Sequence, residues 1–358
     1  ASKPVLMRDS LTPDRFARNI ENFIGTVELP IGLAGPLRVN GVSAAGDYYV
    51  PLATTEAALV ASYTRGCLLI SESGGCASIV LAEGVSRAPG FIFESMHLAG
   101  EFIAWALTQR EAFSREANAT TRHGKLVEMR VTVEGNHVYL NFEYLTGDAA
   151  GQNMVTIATQ AICNYIRLNS PIQPRHSFVE ANLSGDKKAS SQSFQSVRGK
   201  KVSAEAVIPA HLLEKRLRTS ATTMEEYWRM SALGGVQSGT IGVQGHYANG
   251  LAALFIATGQ DAACVSEAAV GITRFEARND GSLYAAVTLP NLIVGTVGGG
   301  TSLPAQSACL DILGLRGNGH ARALAEVAAA LALAGELSII GALCAGHFAR
   351  AHQKLARA

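Results

Sequence analysis

The stretch Ala323-Leu-Ala-Glu-Val-Ala-Ala-Ala-Leu-Ala-Leu-Ala-Gly-Glu-Leu-Ser-Ile-Ile-Gly-Ala-Leu-Cys-Ala-Gly-His347 is strongly apolar and rich in alanine. It is long enough to cross a bilayer as a helix. However, Glu326 and Glu336 interrupt it, and its small residues favour close contact with neighbouring elements. We therefore predict a helix buried inside the protein rather than a span that faces lipid.

The composition of the whole chain is that of a large folded protein and does not point to nucleic-acid binding. The 358 residues can form two domains, or one large domain with an insert. Apolar residues make up 48% and charged residues 16%, which predicts a large buried fraction and an oligomer that hides more surface. A net charge of +1 gives no global field that would attract nucleic acid or a membrane.

The cysteines and the first residues of the sequence bear on the compartment. The six cysteines are scattered and form no C-x-x-C pair, so they fit a reducing cytoplasm better than a disulfide framework or a zinc site. The first ten residues contain no long apolar run, so no signal peptide is predicted. We expect a cytoplasmic protein without a structural metal.

The first quarter of the chain predicts a helix, several strands and a second helix. The first helix is expected from Pro13 to Phe23 and the second from Ala57 to Leu69, capped by Thr54 or Thr55, with Glu56 in its first turn. An acid there is also common as a partner of the helix dipole, so position alone gives Glu56 no catalytic role. Short strands are expected between Leu29 and Leu52, with turns at these dipeptides: Gly35-Pro36, Asn40-Gly41 and Gly46-Asp47.

Residues 89–177 have the pattern of a separate small unit. A helix is predicted from Phe91 to Phe113 and another from Asp148 to Leu168. Between them, Lys125–Val133 and His137–Tyr144 alternate apolar and polar residues around a hairpin turn. This order of elements predicts a small α+β module inserted in a larger domain.

The rest of the chain alternates between strands and helices. The predicted strands are Lys201–Pro209, Leu283–Leu289 and Ile293–Val297. The predicted helices are His211–Arg229 and His246–Thr258, followed by long helices at the C-terminal end.

Two short stretches could carry chemistry. In Gly185-Asp-Lys-Lys188, a lysine held beside a carboxylate can stay protonated and stabilise a developing oxyanion, although such a loop can also be merely solvated. In Asp148-Ala-Ala-Gly151, small residues at a helix start allow a ligand phosphate to approach backbone N–H groups. No Rossmann or P-loop glycine pattern is present, so a dinucleotide would have to bind in another way.

Six blocks in a fixed order give the chain a family resemblance. The blocks are Glu21-Asn-Phe-Ile-Gly25, Ala53-Thr-Thr-Glu-Ala57, Asp148-Ala-Ala-Gly-Gln-Asn153, Asp186-Lys-Lys188, Gly259-Gln-Asp-Ala-Ala263 and Gly295-Thr-Val-Gly-Gly-Gly-Thr301. Together they resemble the catalytic portion of hydroxymethylglutaryl-coenzyme A (HMG-CoA) reductases, over nearly the whole chain. The Thr-Thr-Glu and Asp-Lys-Lys forms resemble the eukaryotic and archaeal class more than the degradative bacterial class.

The resemblance implies four catalytic residues for the reduction of a thioester to an alcohol. Lys187 would hold the carbonyl oxygen as it gains charge, and Glu56 would protonate that oxygen. Asp261 would couple these two residues in one network. His352 would protonate the departing coenzyme A thiolate, while His347 stays open as a neighbouring polar group or a packed helix residue.

The resemblance also implies residues that bind the two ligands. The residues expected to bind the HMG-CoA substrate are Arg65, Arg87, Asp186, Lys188, Arg229 and Asn249. The residues expected to bind a nicotinamide dinucleotide are Arg122, Asp148, Gly151, Gln152, Asn153, Gly298, Gly299 and Gly300. Because Arg122 resembles an arginine placed near a 2′-phosphate, NADPH is favoured over NADH.

The expected architecture is an α+β enzyme with a large mixed domain and a small ferredoxin-like domain. After an N-terminal helical segment at 1–25, residues 26–88 and 178–358 would form the large HMG-CoA-binding and dimerisation domain, and residues 89–177 the NADP(H)-binding insert. The resemblance implies a homodimer or dimer of dimers with shared active sites, with Glu21-Asn-Phe-Ile-Gly25 near the subunit contact.

Departures from the family pattern and two alternatives remain open. Glu180 replaces a substrate-contacting serine, His211 replaces a lysine expected near coenzyme A phosphates, and the C-terminal segment is reduced to Leu355-Ala-Arg-Ala358.

The first alternative function is NAD-dependent oxidation of mevalonate, and Arg122 argues against it. The second is a non-catalytic relative that binds acyl-CoA, for which a complete catalytic set would be unnecessary.

Overall fold

The structure is a computed structural model that describes residue 16, residues 19–121 and residues 123–346. Its strands are β1 (Ile31–Gly41), β2 (Ala45–Ala53), β3 (Cys76–Arg87), β4 (Gly90–Ile92), β5 (Lys125–Glu134), β6 (His137–Leu145), β7 (His176–Phe178), β8 (Gly199–Ile208), β9 (Gly242–Val243), β10 (Gly271–Ala277) and β11 (Leu283–Leu292). Its α-helices are α1 (Leu59–Glu72), α2 (Met96–Thr108), α3 (Arg110–Ala119), α4 (Gln152–Asn169), α5 (Ala210–Leu212), α6 (Ala221–Ser238), α7 (Tyr247–Thr258), α8 (Val265–Ala268), α9 (Pro304–Leu313) and α10 (Ala321–Cys344).

The strands form one mixed sheet in which β3 is shared by two groups of strands. The order is β7-β4-β6-β3-β8-β11-β10-β9, with β1 beside β3, β2 beside β1 and β5 beside β6. The β1–β3 and β9–β10 pairs are parallel, and the other pairs are antiparallel. Residues 77–84 of β3 pair with β8, whereas residues 85–87 pair with β6. One long strand therefore joins the two parts of the sheet.

The alanine-rich segment forms the buried helix α10, as predicted. This helix packs against α1, α6 and α7 and against strands β1, β3, β8 and β11. It is long and apolar enough to cross a membrane, yet 83% of its most apolar 18-residue stretch is buried inside the protein. Small residues permit this close packing: Gly66 on α1 lies directly against the backbone of Ala334 on α10. The helix is thus part of the hydrophobic core.

Both glutamates of α10 are fully buried and accept hydrogen bonds from backbone N–H groups of loops. Glu326 Oε2 accepts from the N–H groups of Ser43 (2.8 Å) and Ala44 (2.7 Å), in the turn between β1 and β2. Glu336 accepts from the N–H groups of Gly245 (2.7 Å) and His246 (2.9 Å), just before α7. A buried carboxylate is costly without such donors, so these bonds fix both loops to the core helix.

The elements of residues 89–177 follow the order β4, α2 and α3, β5, β6, α4, and β7 comes next. Their strands lie in the spatial order β7-β4-β6-β5, and all three pairings are antiparallel. A cluster of aromatic rings fills the space under the helices, including Phe93, Phe102, Phe113 and Phe142. The predicted hairpin of β5 and β6 is confirmed.

Several predicted boundaries in the first half of the chain were wrong. The helix predicted to end at Phe23 is absent from residues 19–23, and the rest of it falls largely outside the described residues. The dipeptides Gly35-Pro36 and Gly46-Asp47 lie inside β1 and β2, because these strands pair continuously apart from a register shift after Ala34. The helix predicted from Phe91 begins only at Met96, where the Ser95 hydroxyl caps it; Phe91 belongs to the buried strand β4.

Glu56 lies before α1 rather than in its first turn. The helix begins at Leu59 after Ala58, whose φ of 69° is not helical. The Thr54 hydroxyl accepts from the N–H of Glu56 at 2.9 Å, so it closes a local turn instead of capping the helix.

Further along the chain, from residue 148 onward, three predicted elements were also wrong. The helix predicted from Asp148 begins at Gln152. The helix predicted for His211–Arg229 is divided at Arg218, which has a φ of 56°, and Ser220 caps the new helix α6. Residues 293–297 form no strand, because the Gln260 side chain bonds to the N–H and carbonyl of Gly295 at 2.8 Å and 2.9 Å.

Gly66 tests the contact between α1 and α10. A methyl group at this position would overlap the carbonyl oxygen of Ala334, so Gly66→Ala should lower the free energy of unfolding by about 1–3 kcal/mol, measured by urea denaturation. The control is Gly100→Ala in α2, where nothing lies near the added methyl group; it should be neutral or stabilise by about 0.5–1 kcal/mol. Equal effects would refute the close packing.

Candidate active site

Lys187 and Asp261 form an ion pair that both solvent and a ligand can reach. Lys187 Nζ lies 2.8 Å from Asp261 Oδ2, and both side chains are 43% exposed. The other oxygen of Asp261 accepts from the N–H of Ala263 at 3.0 Å, which fixes the carboxylate at the start of a short helical turn. The hydrogen bond and the charge of Asp261 raise the pKa of Lys187 against a smaller effect of burial. Lys187 is therefore a positioned cation at neutral pH.

Asp186 lies at the centre of a polar network beside this pair. Its Oδ2 lies 3.0 Å from Arg87 Nη1, and its Oδ1 lies 2.5 Å from Arg198 Nη2. Gln152 donates to Asp186 Oδ1 at 3.3 Å and accepts from both arginines through its amide oxygen. Burial alone would raise the pKa of Asp186, but the charges of Arg198 and Arg87 outweigh it and hold the pKa below its usual value. Asp186 is thus an ionised anchor for two arginines.

Glu267 is a buried acid that the sequence analysis did not select. Its side chain is fully buried in α8, and its Oε1 accepts from the backbone N–H of Lys187 at 3.2 Å. Oε2 lies 2.9 Å from Arg198 Nε, although this contact is not aligned as a hydrogen bond. Burial raises the pKa of Glu267 to about 7, against the opposing charge of Arg198.

Glu267 carries a sequence signal that could have revealed it, whereas Arg198 does not. Arg198 is a charged residue immediately before an alternating strand, and Glu267 interrupts the small-residue run Ala262–Ala269. A charge placed in an apolar segment is rarely buried without a partner. Sequence patterns do not show, however, that the two residues would be each other's partner.

Glu180, which stands in place of the substrate-contacting serine of the family pattern, forms an ion pair with Arg87. Its Oε2 lies 3.2 Å from Arg87 Nη1 and accepts from the N–H of Ala88 at 3.3 Å. Arg87 is almost fully buried and is therefore shared by two carboxylates, Glu180 and Asp186. The added negative charge is neutralised within the protein.

Glu56 contacts Asn249, a second residue expected at the site. The Asn249 amide nitrogen lies 3.2 Å and 3.1 Å from the two carboxylate oxygens. Within residues 16, 19–121 and 123–346, no hydrogen bond or ion pair joins these two residues to Lys187 or Asp261. His352 and His347 lie outside the described residues. The coupling of Glu56 and Lys187 through Asp261 stays a prediction.

A cavity of about 600 Å³ brings together most residues expected to bind the dinucleotide. Its lining includes Gly151, Gln152, Asn153, Asp261 and residues 298–300. Gly298 and Gly299 have φ values of 75° and 53°, and a methyl group at either would meet no protein atom within 4 Å. The glycines thus leave open space at the wall of a cavity of a size common for cofactors, which fits a dinucleotide.

The other expected binding residues have structural partners. The Asp148 carboxylate accepts from the N–H groups of Gly319 (2.8 Å) and Ala321 (3.1 Å), at the start of α10, and does not line the cavity. Arg65 donates to Ser338 on α10, and Arg229 pairs with two glutamates of its own helix. Lys188 donates to the carbonyl oxygen of Asp186 at 3.0 Å. Arg122 lies outside the described residues.

The raised pKa of Glu267 predicts a specific pH dependence of stability. Because the folded protein holds the Glu267 proton from pH 4.5 to about 7, this residue stabilises the fold at low pH, and that contribution is lost as the pH rises through 7. Glu267→Gln cannot ionise, so between pH 5 and pH 8 its stability relative to wild type should improve by about 2–3 kcal/mol. Urea denaturation at both pH values measures this change.

The control for this experiment is Glu276→Gln, which removes an exposed carboxylate that pairs with Arg274. Its stability relative to wild type should change little between the same pH values, because an exposed ion pair contributes little. A Glu267→Gln variant that behaved like this control would show that Glu267 is ionised in the fold at low pH.

Comparisons with known proteins show similarity over nearly the whole chain. The family model of hydroxymethylglutaryl-coenzyme A reductase matches residues 3–357. The HMG-CoA reductase of Pyrococcus horikoshii is 43% identical over 97% of this chain and 86% of its own length, and that of Methanothermobacter thermautotrophicus is 44% identical over 95% and 85%. A Dictyostelium discoideum HMG-CoA reductase is 39% identical over 94% of this chain and 62% of its own length.

A solved structure has the same fold. The class II HMG-CoA reductase from Streptococcus pneumoniae, bound to NADPH in open conformations, aligns with a TM-score of 0.74 at 22% identity and covers 92% of this chain and 79% of that chain. The mixed α/β fold is therefore that of known HMG-CoA reductase structures. On the family match and the archaeal relatives, this chain belongs to the hydroxymethylglutaryl-coenzyme A reductase family.

Proposed function

We propose that this protein reduces HMG-CoA to mevalonate and free coenzyme A with two molecules of NADPH, a step of isoprenoid biosynthesis. The observation that carries the proposal is the Lys187–Asp261 ion pair, whose carboxylate lines the glycine-walled cavity. A protonated lysine beside a cofactor-sized cavity suits a reaction in which a carbonyl oxygen gains negative charge. The family membership supports the same reaction.

The proposed cofactor is NADPH, which supplies the hydride. The solved relative from Streptococcus pneumoniae is bound to NADPH, and residues 298–300, which the family resemblance assigns to the dinucleotide, line the cavity here. Residues 151–153 and 298–300 would hold the dinucleotide, and Arg122 would bind its 2′-phosphate. Asp148 would contribute indirectly, because it fixes the loop that precedes the cavity to the start of α10.

The roles of the protein groups follow from their charges and contacts. Lys187 would donate to the substrate carbonyl oxygen, and Asp261 keeps it charged and oriented. Glu56 would deliver a proton to the alcohol oxygen, held in place by Asn249. His352 would protonate the thiolate of coenzyme A as it leaves, which prevents its return to the aldehyde. Arg87, Asp186 and Lys188 would form the polar end of the substrate site, and Arg65 and Arg229 would contribute charge at its periphery.

The domain assignment is part of the proposal. Residues 89–177 would be a ferredoxin-like NADP(H)-binding module, supported by the element order β-α-β-β-α-β and by the antiparallel spatial order β7-β4-β6-β5. Residues 26–88 and 178–358 would form the large domain that binds HMG-CoA. This assignment is supported by the strands in the spatial order β2-β1-β3-β8-β11-β10-β9, of which β1, β3, β8 and β11 pack against α10.

A dimer with shared active sites is proposed as the functional form. Glu56 with Asn249 and Lys187 with Asp261 form two separate pairs within one chain, so a second subunit could bring the two pairs together. Exposed apolar side chains lie within and beside the segment expected at the subunit contact: Ile20, Ile24 and Val27 are 45%, 71% and 73% exposed. A reducing cytoplasm is the proposed compartment, supported by six free cysteines, five of them buried.

One assay tests the proposed reaction: loss of NADPH absorbance that depends on added HMG-CoA, repeated with NADH. NADPH oxidation coupled to mevalonate formation is expected. A strong preference for NADH would support the alternative, oxidation of mevalonate with NAD. Binding of acyl-CoA without turnover would support the non-catalytic alternative.

The role of Lys187 predicts the effect of a neutral replacement of similar length. Lys187→Met should lower kcat by about 10²–10³-fold, because the oxyanion loses its charged donor. The control is Lys215→Met, an exposed lysine on another element, which should keep wild-type turnover. Near-normal turnover of folded Lys187→Met would refute the assignment.

The role of Arg122 predicts a change in cofactor preference. Arg122→Ala should raise the KM for NADPH by about tenfold and leave the KM for NADH nearly unchanged, because only NADPH carries the 2′-phosphate. Steady-state kinetics with both cofactors measure this, with Arg115→Ala on the exposed face of α3 as the matched control. If both KM values rose equally, Arg122 would be contacting a part common to both cofactors.

A further inference from the structure

We propose that Glu267 is a positioning residue that holds the backbone of Lys187 in the conformation from which its ammonium reaches the reacting oxygen. The proposal rests on the proposed function of Lys187. It goes further, because it assigns the geometry of the lysine to a buried acid in another element.

The first observation is the backbone of Lys187 itself. Its φ of 55° lies in the left-handed region, which L-residues other than glycine, asparagine and aspartate rarely adopt. Such a conformation persists only when surrounding contacts impose it. Lys187 therefore needs an external partner at its backbone, and the N–H of Lys187 donates to Glu267 Oε1 at 3.2 Å.

The second observation is that one short segment holds Lys187 at both ends. We name residues 261–268 the anchor segment. Its first residue, Asp261, binds the side-chain ammonium of Lys187, and Glu267 binds its main-chain N–H. The segment is compact, because the Asp261 carboxylate also caps its first turn and α8 follows directly. Two contacts from one segment therefore fix both the main chain of Lys187 and the position of its ammonium group.

The third observation is that the orientation of Glu267 is itself determined by buried neighbours. Arg198 lies beside its second oxygen, with the two side chains 4% and 0% exposed. Arg198 also contacts Asp186, the residue before Lys187, at 2.5 Å. The charges that face Glu267 thus come from the Asp186–Lys187 loop and from Arg198. A rotation of the Glu267 side chain would also change the position of its second oxygen, which lies 2.9 Å from the almost fully buried Arg198.

The test compares two substitutions at position 267. Glu267→Gln keeps an oxygen acceptor at the same place and should preserve the contact with the Lys187 N–H. Glu267→Leu removes the acceptor. We expect Glu267→Leu to lower kcat by at least about tenfold, since small misplacements of a catalytic group are costly, with the KM for NADPH changed by less than about twofold. Glu267→Gln should retain most of the wild-type kcat.

A second readout needs no substrate. Hydrogen–deuterium exchange of a peptide spanning residues 184–190 should be faster in Glu267→Leu than in wild type and close to wild type in Glu267→Gln. The control is Glu326→Leu, which removes another buried acid that accepts backbone N–H groups far from this loop. It should lower global stability without a selective change in the exchange of residues 184–190 or in the kcat of the folded fraction.

The outcomes separate the two proposals. Unchanged exchange of residues 184–190 in Glu267→Leu would overturn the positioning role, whatever the activity. Equal losses of kcat in Glu267→Gln and Glu267→Leu would also overturn it, because the charge rather than the acceptor would then matter. If the wild type lacked reductase activity, the proposed function would fail, and the exchange experiment would still decide whether Glu267 holds the loop.

Discussion

The structure depends on the burial of helix α10, most of whose residues are enclosed by neighbouring elements. Its two glutamates are fully buried, so each carboxylate must find donors inside the protein. Glu326 and Glu336 find them in the backbone of two loops, one in the β1–β2 turn and one before α7. The core helix thereby fixes irregular segments that apolar packing alone would leave unspecified. One of these loops leads directly to Asn249, the partner of Glu56.

The same helix also supports the cavity wall from its other end. Asp148 accepts hydrogen bonds from N–H groups at the start of α10, and the carbonyl of Asp148 accepts from Thr296 at 2.9 Å. Ala149 then pairs with Val297, which brings the two glycine-containing segments of the cavity together. Asp148 therefore holds these segments together through its hydrogen bonds, although its side chain does not line the cavity.

The sequence predicted the elements with strong periodicity or composition and missed those that depend on distant partners. The β5–β6 hairpin and α10 were predicted because alternation and alanine content are local properties. Residues 293–297 were predicted as a strand because they are apolar, but their backbone groups bond to the Gln260 side chain. Within the site, the pairing of Lys187 with Asp261 agreed with the family resemblance. The burial of Glu267 beside Arg198 could not be predicted, because it depends on how two segments about seventy residues apart meet.

Strand β3 has a mechanical consequence for the active site. Its first part belongs to the sheet around α10, and its last three residues are hydrogen-bonded to β6 of the smaller unit. Arg87 is the final residue of this strand, and its guanidinium holds Asp186. The last residue of β3 therefore supplies the guanidinium that pairs with Asp186. Because Arg87 joins this strand pairing to Asp186, the alignment of the charged groups depends on the position of β6 as well as on the strands around α10.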